Sequence, residues 1–143
     1  ISGIGRFFSG RPLNVTLTSD PARTGIAAQR PNLVLESPYG DKSYTNYLNR
    51  AAFAEPALGT LGNLQRNSIV GPGNKAVDLS LVRRFRFGKQ VFEARAEAFN
   101  AFNWFNPGLV NAPVTNWNNV AQFGQITSAE DPRIMQFALK YSF

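Results

Sequence analysis

Residues 76–102, AVDLSLVRRFRFGKQVFEARAEAFNAF, decide the fold. The first half alternates: Val77, Leu79, Leu81, Phe85 and Phe87 fall on one side, and Asp78, Ser80, Arg84 and Arg86 on the other. That period of two is the mark of a half-buried strand. Gly88-Lys89 then reads as a tight turn. The second half, residues 91–102, is ambiguous. Its Ala, Glu and Arg favour helix, and Phe92, Ala96 and Phe99 fit helical spacing. As a strand, it sets Phe92, Ala94, Ala96, Ala98 and Phe102 against Glu93, Arg95 and Glu97, with Phe99 as a misfit. Register favours the strand. A two-residue loop at Gly88-Lys89 places Arg84 opposite Glu93, Ser80 opposite Glu97 and Phe85 opposite Phe92, so that like meets like along the pair. A one-residue slip would scramble both faces.

Working outward, residues 133–143 (RIMQFALKYSF) alternate again. Met135, Phe137, Leu139, Tyr141 and Phe143 oppose Gln136, Ala138, Lys140 and Ser142. Residues 1–17 form the fourth expected strand, broken near Gly10-Arg11-Pro12 because proline cannot donate to a ladder. Within it, Leu13, Val15 and Leu17 alternate with Asn14, Thr16 and Thr18. Residues 19–75 and 103–132 are rich in Gly, Pro, Asn and Ser turn chemistry and read as two long loops. Short elements are expected inside them, including a helical turn between Tyr44 and Phe53. The opening residues, ISGIGRFFSG, suggest a chain joined partway, a fragment or a processed C-terminal piece.

Composition narrows the chemistry. The 143 residues hold 15 basic and 9 acidic side chains, a formal charge of +6, with no Cys and no His. Disulfides, thiolate metal sites, cysteine nucleophiles and histidine-based triads are therefore excluded. The positive charge is spread thinly, clustering only at Arg83, Arg84 and Arg86, so nucleic acid is not an expected partner. No apolar run approaches the roughly 18 residues of a membrane helix, which leaves β-barrels open.

A one-sided apolar strand suits either a soluble sandwich or an outer-membrane barrel, whose apolar face meets lipid. Three features lean toward the barrel. One turn is minimal while the flanking connections run to dozens of residues, the asymmetry of periplasmic turns and extracellular loops. Phe85, Phe87 and Phe92 flank the short turn, and an antiparallel order brings Tyr141 and Phe143 to the same end, as an interfacial girdle requires. The last three strands also have bilayer-spanning length. Arg83 conflicts, falling on the apolar face; snorkelling or a bulge at Arg83-Arg84 would relieve it.

Five stretches carry a family resemblance: SGRPLNVTL (residues 9–17), LGNLQRNSIVGPG (61–73), DLSLVRRFRF (78–87), ARAEAFNAFNWFNPG (94–108) and FGQITSAEDPRIMQFALKYSF (123–143). In this order they resemble the C-terminal end of a TonB-dependent outer-membrane receptor barrel of the Oar-like type, whose chains join a carboxypeptidase-regulatory-like domain to a plug and barrel. The resemblance implies an all-β, antiparallel up-and-down segment: about four long strands of a transmembrane β-barrel (1–17, 76–87, 91–102 and 133–143) with two extracellular loops (19–75 and 103–132). It implies location in the bacterial outer membrane and a part in energy-coupled uptake, with no enzymatic activity and no cofactor. The implied partners are outer-membrane lipid, the barrel assembly machinery, an unknown small substrate, and the rest of the receptor chain, through which TonB would act. Phe137, Leu139, Tyr141 and Phe143 then form the C-terminal insertion signal, and the closing strand turns Met135 outward with them.

The remaining residues fall into place around this reading. Arg84, Arg86, Glu93, Arg95 and Glu97 form a lumen-facing charge ladder, or alternatively a substrate patch. Phe85, Phe87 and Phe92 form the periplasmic girdle. Trp104, Phe105 and Trp117 sit in loops, as ligand contacts or as interface and packing anchors. Asp20, Glu36, Asp41, Glu130 and Asp131 carry the oxygen ligands calcium would need, but in no recognised spacing. The competing reading is a soluble, basic β-domain that binds nucleic acid or glycan through loop aromatics.

Overall fold

The computed structural model describes residues 1–108 and 112–143. Its chain divides into two units, one built from residues 1–8, 73–106 and 130–143 and the other from residues 9–72 and 107–129.

The first unit is a four-stranded antiparallel sheet of β1 (Ser2–Phe8), β6 (Asn74–Phe87), β7 (Gln90–Phe99) and β8 (Ile134–Ser142), in the order β1-β6-β7-β8. β6 and β7 are a hairpin, with Arg84 opposite Glu93, Phe85 opposite Phe92 and Ser80 opposite Glu97. The register expected from the alternation is the one observed, and residues 91–99 are strand, not helix. Gly88, the first loop residue, has φ 62°, the sign a type II′ turn needs at that position. The ladder runs unbroken past Arg83 opposite Ala94, so the bulge proposed there is absent. β8 continues the pattern, with Phe92 opposite Tyr141 and Glu93 opposite Lys140.

Two strand boundaries differ from expectation. β7 ends at Phe99, so Phe102 is not on its apolar face. Phe99 lies on the polar face, opposite Ile134. Asparagines explain the stop. Asn100 adopts φ 48° and Asn103 φ 53°, left-handed values that a strand cannot continue. Asn100 Oδ1 accepts from the Trp104 main-chain N–H at 3.0 Å, and its own N–H donates to Asp78 Oδ1 at 2.9 Å. Asn103 Oδ1 accepts from Arg133 N at 2.9 Å and Asn106 Oδ1 from Lys75 N at 2.8 Å. Three asparagines at three-residue spacing thus tie the ends of β6, β7 and β8 together.

The other boundary is at the N-terminal strand. It stops at Phe8 instead of running to Leu17. The alternation of Leu13, Val15 and Leu17 is real but serves the second unit: Val15 is fully buried and Leu17 nearly so. Here β2 (Pro12–Leu13) pairs with β5 (Ile69–Val70), and β3 (Asn32–Leu33) with β4 (Phe53–Ala54). A 3-10 turn at Arg50–Ala52, capped by Asn49, is the helical turn expected between Tyr44 and Phe53.

The two long polar stretches are therefore not structureless loops. They share one core of Val15, Tyr47, Leu48, Ala52, Phe53, Leu64, Ile69 and Phe123. Phe53 and Phe123 meet edge to face at 5.5 Å. Main-chain bonds knit the stretches, among them Thr16 N–H to the Thr115 carbonyl (3.1 Å) and Tyr47 N–H to the Gly124 carbonyl (2.8 Å). Gly124 needs to be glycine twice over: its φ is 77°, and a Cβ would collide with the Leu48 carbonyl.

The register can be tested by crosslinking. The chain contains no cysteine, and directly opposed residues of an antiparallel pair have Cβ atoms about 4.5–5.5 Å apart. Arg84→Cys with Glu93→Cys in the full-length protein is expected to form a disulfide on mild oxidation, and Arg84→Cys with Phe92→Cys is not. The reverse outcome on a non-reducing gel would place the strands one residue out of register.

Candidate membrane-facing surface

Successive side chains of a strand point to opposite sides, so the register assigns each face of the sheet. One face presents Gly3, Gly5 and Phe7 of β1, then Val77, Leu79, Leu81, Phe85 and Phe87 of β6. Phe92, Ala94, Ala96 and Ala98 of β7 follow, and Met135, Phe137, Leu139 and Tyr141 of β8. These side chains are not covered. Leu81 is 52% exposed, Phe137 71% and Leu139 73%, and all of the buried apolar side chains among the described residues lie in the other unit. A sheet in water would bury this face. Leaving it bare is stable only where the surrounding solvent is itself apolar.

The face is banded along the strands. At the turn end stand Phe85, Phe87, Phe92 and Tyr141, with Phe143 5.9 Å from Tyr141 between ring centres. The middle is aliphatic. At the opposite end Phe7 lies level with Lys75. There Trp104 stacks on Phe102 at 4.9 Å and meets Phe7 at 6.2 Å. The ten residue steps from Lys75 to Phe85 along β6 span about 33 Å at ~3.3 Å each, or roughly 25 Å once tilted by the ~40° usual in such barrels. That equals the apolar height of an outer-membrane barrel, with an aromatic belt at each margin.

Arg83 is the one cation inside the band. Its guanidinium lies 5.9 Å from the centre of the Phe85 ring, which carries the charge toward the turn-side belt, where its burden falls from about 2–4 kcal/mol at the midplane to about 0–1 kcal/mol.

The other face carries the charged side chains. Arg84 Nε donates to Glu93 at 2.5 Å, Arg95 lies 3.4 Å from Glu93 and 3.8 Å from Glu97, and Ser80 Oγ donates to Glu97 at 3.3 Å. At the far end Arg6 pairs with Asp78 at 2.9 Å. The structure thus brings four of the five expected ladder residues together. Arg86 stands nearer the turn, opposite Val91, and outside this pairing. The ladder includes Ser80, Arg6 and Asp78, which the sequence reading left out of it. Such pairs contribute little energy in water, but they satisfy mixed charges on a face that must not enter lipid.

The other candidates have local partners. Trp117 donates through Nε1 to the Arg50 carbonyl at 3.4 Å while the Arg50 guanidinium covers its ring at 4.5 Å. Asp20 closes a turn, accepting from Gly25 N at 2.7 Å and Thr24 N at 3.1 Å, and from Gln29 Nε2. Desolvation pushes its carboxyl upward, but the bonds from the Gly25 and Thr24 main chain and the Gln29 and Thr24 side chains outweigh it and hold the pKa below the ordinary value. Asp41 is held low mainly by Ser43, whose N–H donates at 2.9 Å. The five carboxylates do not converge, and no metal-holding group of His, Cys, Asp or Glu occurs among the described residues.

A sheet with one lipid-compatible face, two aromatic belts and one charged face is a section of β-barrel wall. The sequence comparison agrees: a family model described as an outer membrane beta barrel domain matches residues 1–136, and the chain belongs to that family. Its location is the bacterial outer membrane, which sets aside a soluble domain. No curated protein and no solved structure matches the chain.

Both the facial assignment and the Asp20 turn can be tested. In the full-length protein, Leu81→Arg should lower folding stability in lipid vesicles by about 2–4 kcal/mol in a denaturant titration, and Val82→Arg, on the charged face, by under about 1 kcal/mol. Equal effects would contradict the facial assignment. For Asp20, a depressed folded-state pKa means its contribution is complete above the unfolded value and is lost as pH falls through the folded one. Amide exchange at Thr24 and Gly25 should therefore lose protection only below the normal carboxylate range, and Asp20→Asn should abolish that pH step.

Proposed function

We propose that the chain is barrel wall from a TonB-dependent receptor of the Oar-like type, serving energy-coupled uptake of a small substrate across the outer membrane. The observation that carries this reading is the size and order of the connections. Both polar stretches between strands fold into a unit with its own apolar core, far beyond the short loops that merely close a small barrel. The five motif stretches of the receptor family run through both the strands and this unit. The wall supplies the dry face to lipid and the ladder of Arg84, Arg86, Glu93, Arg95 and Glu97 to the lumen. The two long connections would be extracellular by the general rule of short periplasmic turns and longer extracellular loops. In this reading the wall has no catalytic role. The alternating face of Phe137, Leu139, Tyr141 and Phe143 is what the barrel assembly machinery would read on insertion, and the remaining strands and plug come from the rest of the receptor.

The test uses the full-length protein in its outer membrane. Membranes are solubilised and passed over immobilised TonB periplasmic domain. Specific, saturable retention is expected, together with substrate-dependent growth that is lost in cells lacking TonB. A full-length protein that inserts, folds and shows neither property is a barrel of another kind.

A further inference from the structure

We propose that the aromatic cluster at the end opposite the hairpin turn is a binding site for the phosphate of an anionic lipid headgroup, held by Lys75 and Arg133. The site lies on the lipid-facing surface and does not depend on the energy-coupled role.

Lys75 is exposed at the margin of the apolar face, paired in register with Phe7. Its Nζ stands 4.8 Å from the centre of the Trp104 ring. Arg133 reaches the same turn from the β8 side. Its main-chain N–H donates to Asn103 Oδ1 at 2.9 Å and its guanidinium lies 3.5 Å from the Ala101 carbonyl. Neither cation has a carboxylate within ion-pairing distance among the described residues, although Glu130 and Asp131 are close in sequence. On the charged face, by contrast, Arg6, Arg84 and Arg95 all have acidic partners.

The cluster is also fixed in place. Trp104 is held through its main chain by Asn100, which accepts from its N–H at 3.0 Å and donates to its carbonyl at 2.9 Å. The Lys75 main chain is held by Asn106. Two cations without carboxylate partners thus stand where the apolar band ends, Lys75 over the Trp104 ring and Arg133 at the Ala101–Asn103 turn. That depth is where lipid phosphates lie, and indole and ammonium groups favour it. A zwitterionic headgroup brings its own cation and offers less. An anionic one leaves its charge free for both residues.

Full-length protein reconstituted in vesicles of equimolar phosphatidylglycerol and phosphatidylcholine is released into detergent, and retained lipid is counted by native mass spectrometry. Wild type is expected to keep phosphatidylglycerol preferentially. Lys75→Gln or Arg133→Gln should weaken that preference about fivefold each, Lys75→Arg should preserve it, and Lys140→Gln on the charged face should leave it unchanged. Folding of every variant is checked by heat-modifiable gel mobility; if one fails to fold, the other single variant decides. Equal retention of the two lipids by wild type, an unaltered preference in both Gln variants, or full displacement by inorganic phosphate each overturns the proposal, the last indicating a site for free anions.

Discussion

Everything in the sheet depends on one constraint: in hydrocarbon, a backbone N–H or C=O has no water to turn to, so each must be met by a neighbouring strand. Once the ladder is obligatory, register follows, and register fixes which side chains face lipid. Arg84 opposite Glu93 and Phe85 opposite Phe92 are two consequences of a single choice of phase. The apolar face needs no packed layer behind it, because lipid does the work that a second sheet does in a sandwich. This is why side chains as exposed as Phe137 and Leu139 belong to a well-formed strand.

The hairpin was legible because its signal is local. Gly88-Lys89 sets the phase, and the alternation on both sides either agrees with it or does not. Sequence could not say where that alternation stops being sheet. Leu13, Val15 and Leu17 alternate as cleanly as any strand, yet they feed the core of the other unit. Period two reports one-sided burial and is silent about which body does the burying. The end of β7 was missed for a different reason. Phe102 keeps the apolar rhythm, and only the left-handed turn at Asn100 breaks it, a conformation that asparagine tolerates but does not announce.

The second aromatic belt was hidden by distance along the chain. Phe7, Phe102 and Trp104 come from two remote segments, and neither shows a girdle alone. The core of the connections was hidden in the same way. Tyr47, Leu48, Phe53, Leu64, Ile69 and Phe123 have no common period, and the Gly, Pro and Asn between them look like unstructured loop. Those residues instead provide tight turns, such as the one at Gly124, that let a core form with few regular elements. The spread of charged residues was readable as a ladder, but its extension to Arg6 and Asp78 depends on β1 lying beside β6.

The pairings at the two margins of the folded connections bear on how the wall could assemble. Pro12 lies opposite Val70, and Pro107 bridges Ala129. Each excursion therefore leaves and returns at neighbouring points. An open excursion of dozens of residues would have to find its ends by chance, and closing it would cost entropy that grows with the logarithm of its length. Reducing the effective length to a handful of residues relieves on the order of 2 kcal/mol. The connections thus act as clasps: folded first, they would present β1 to β6 and β7 to β8 as though each pair were joined by a short hairpin.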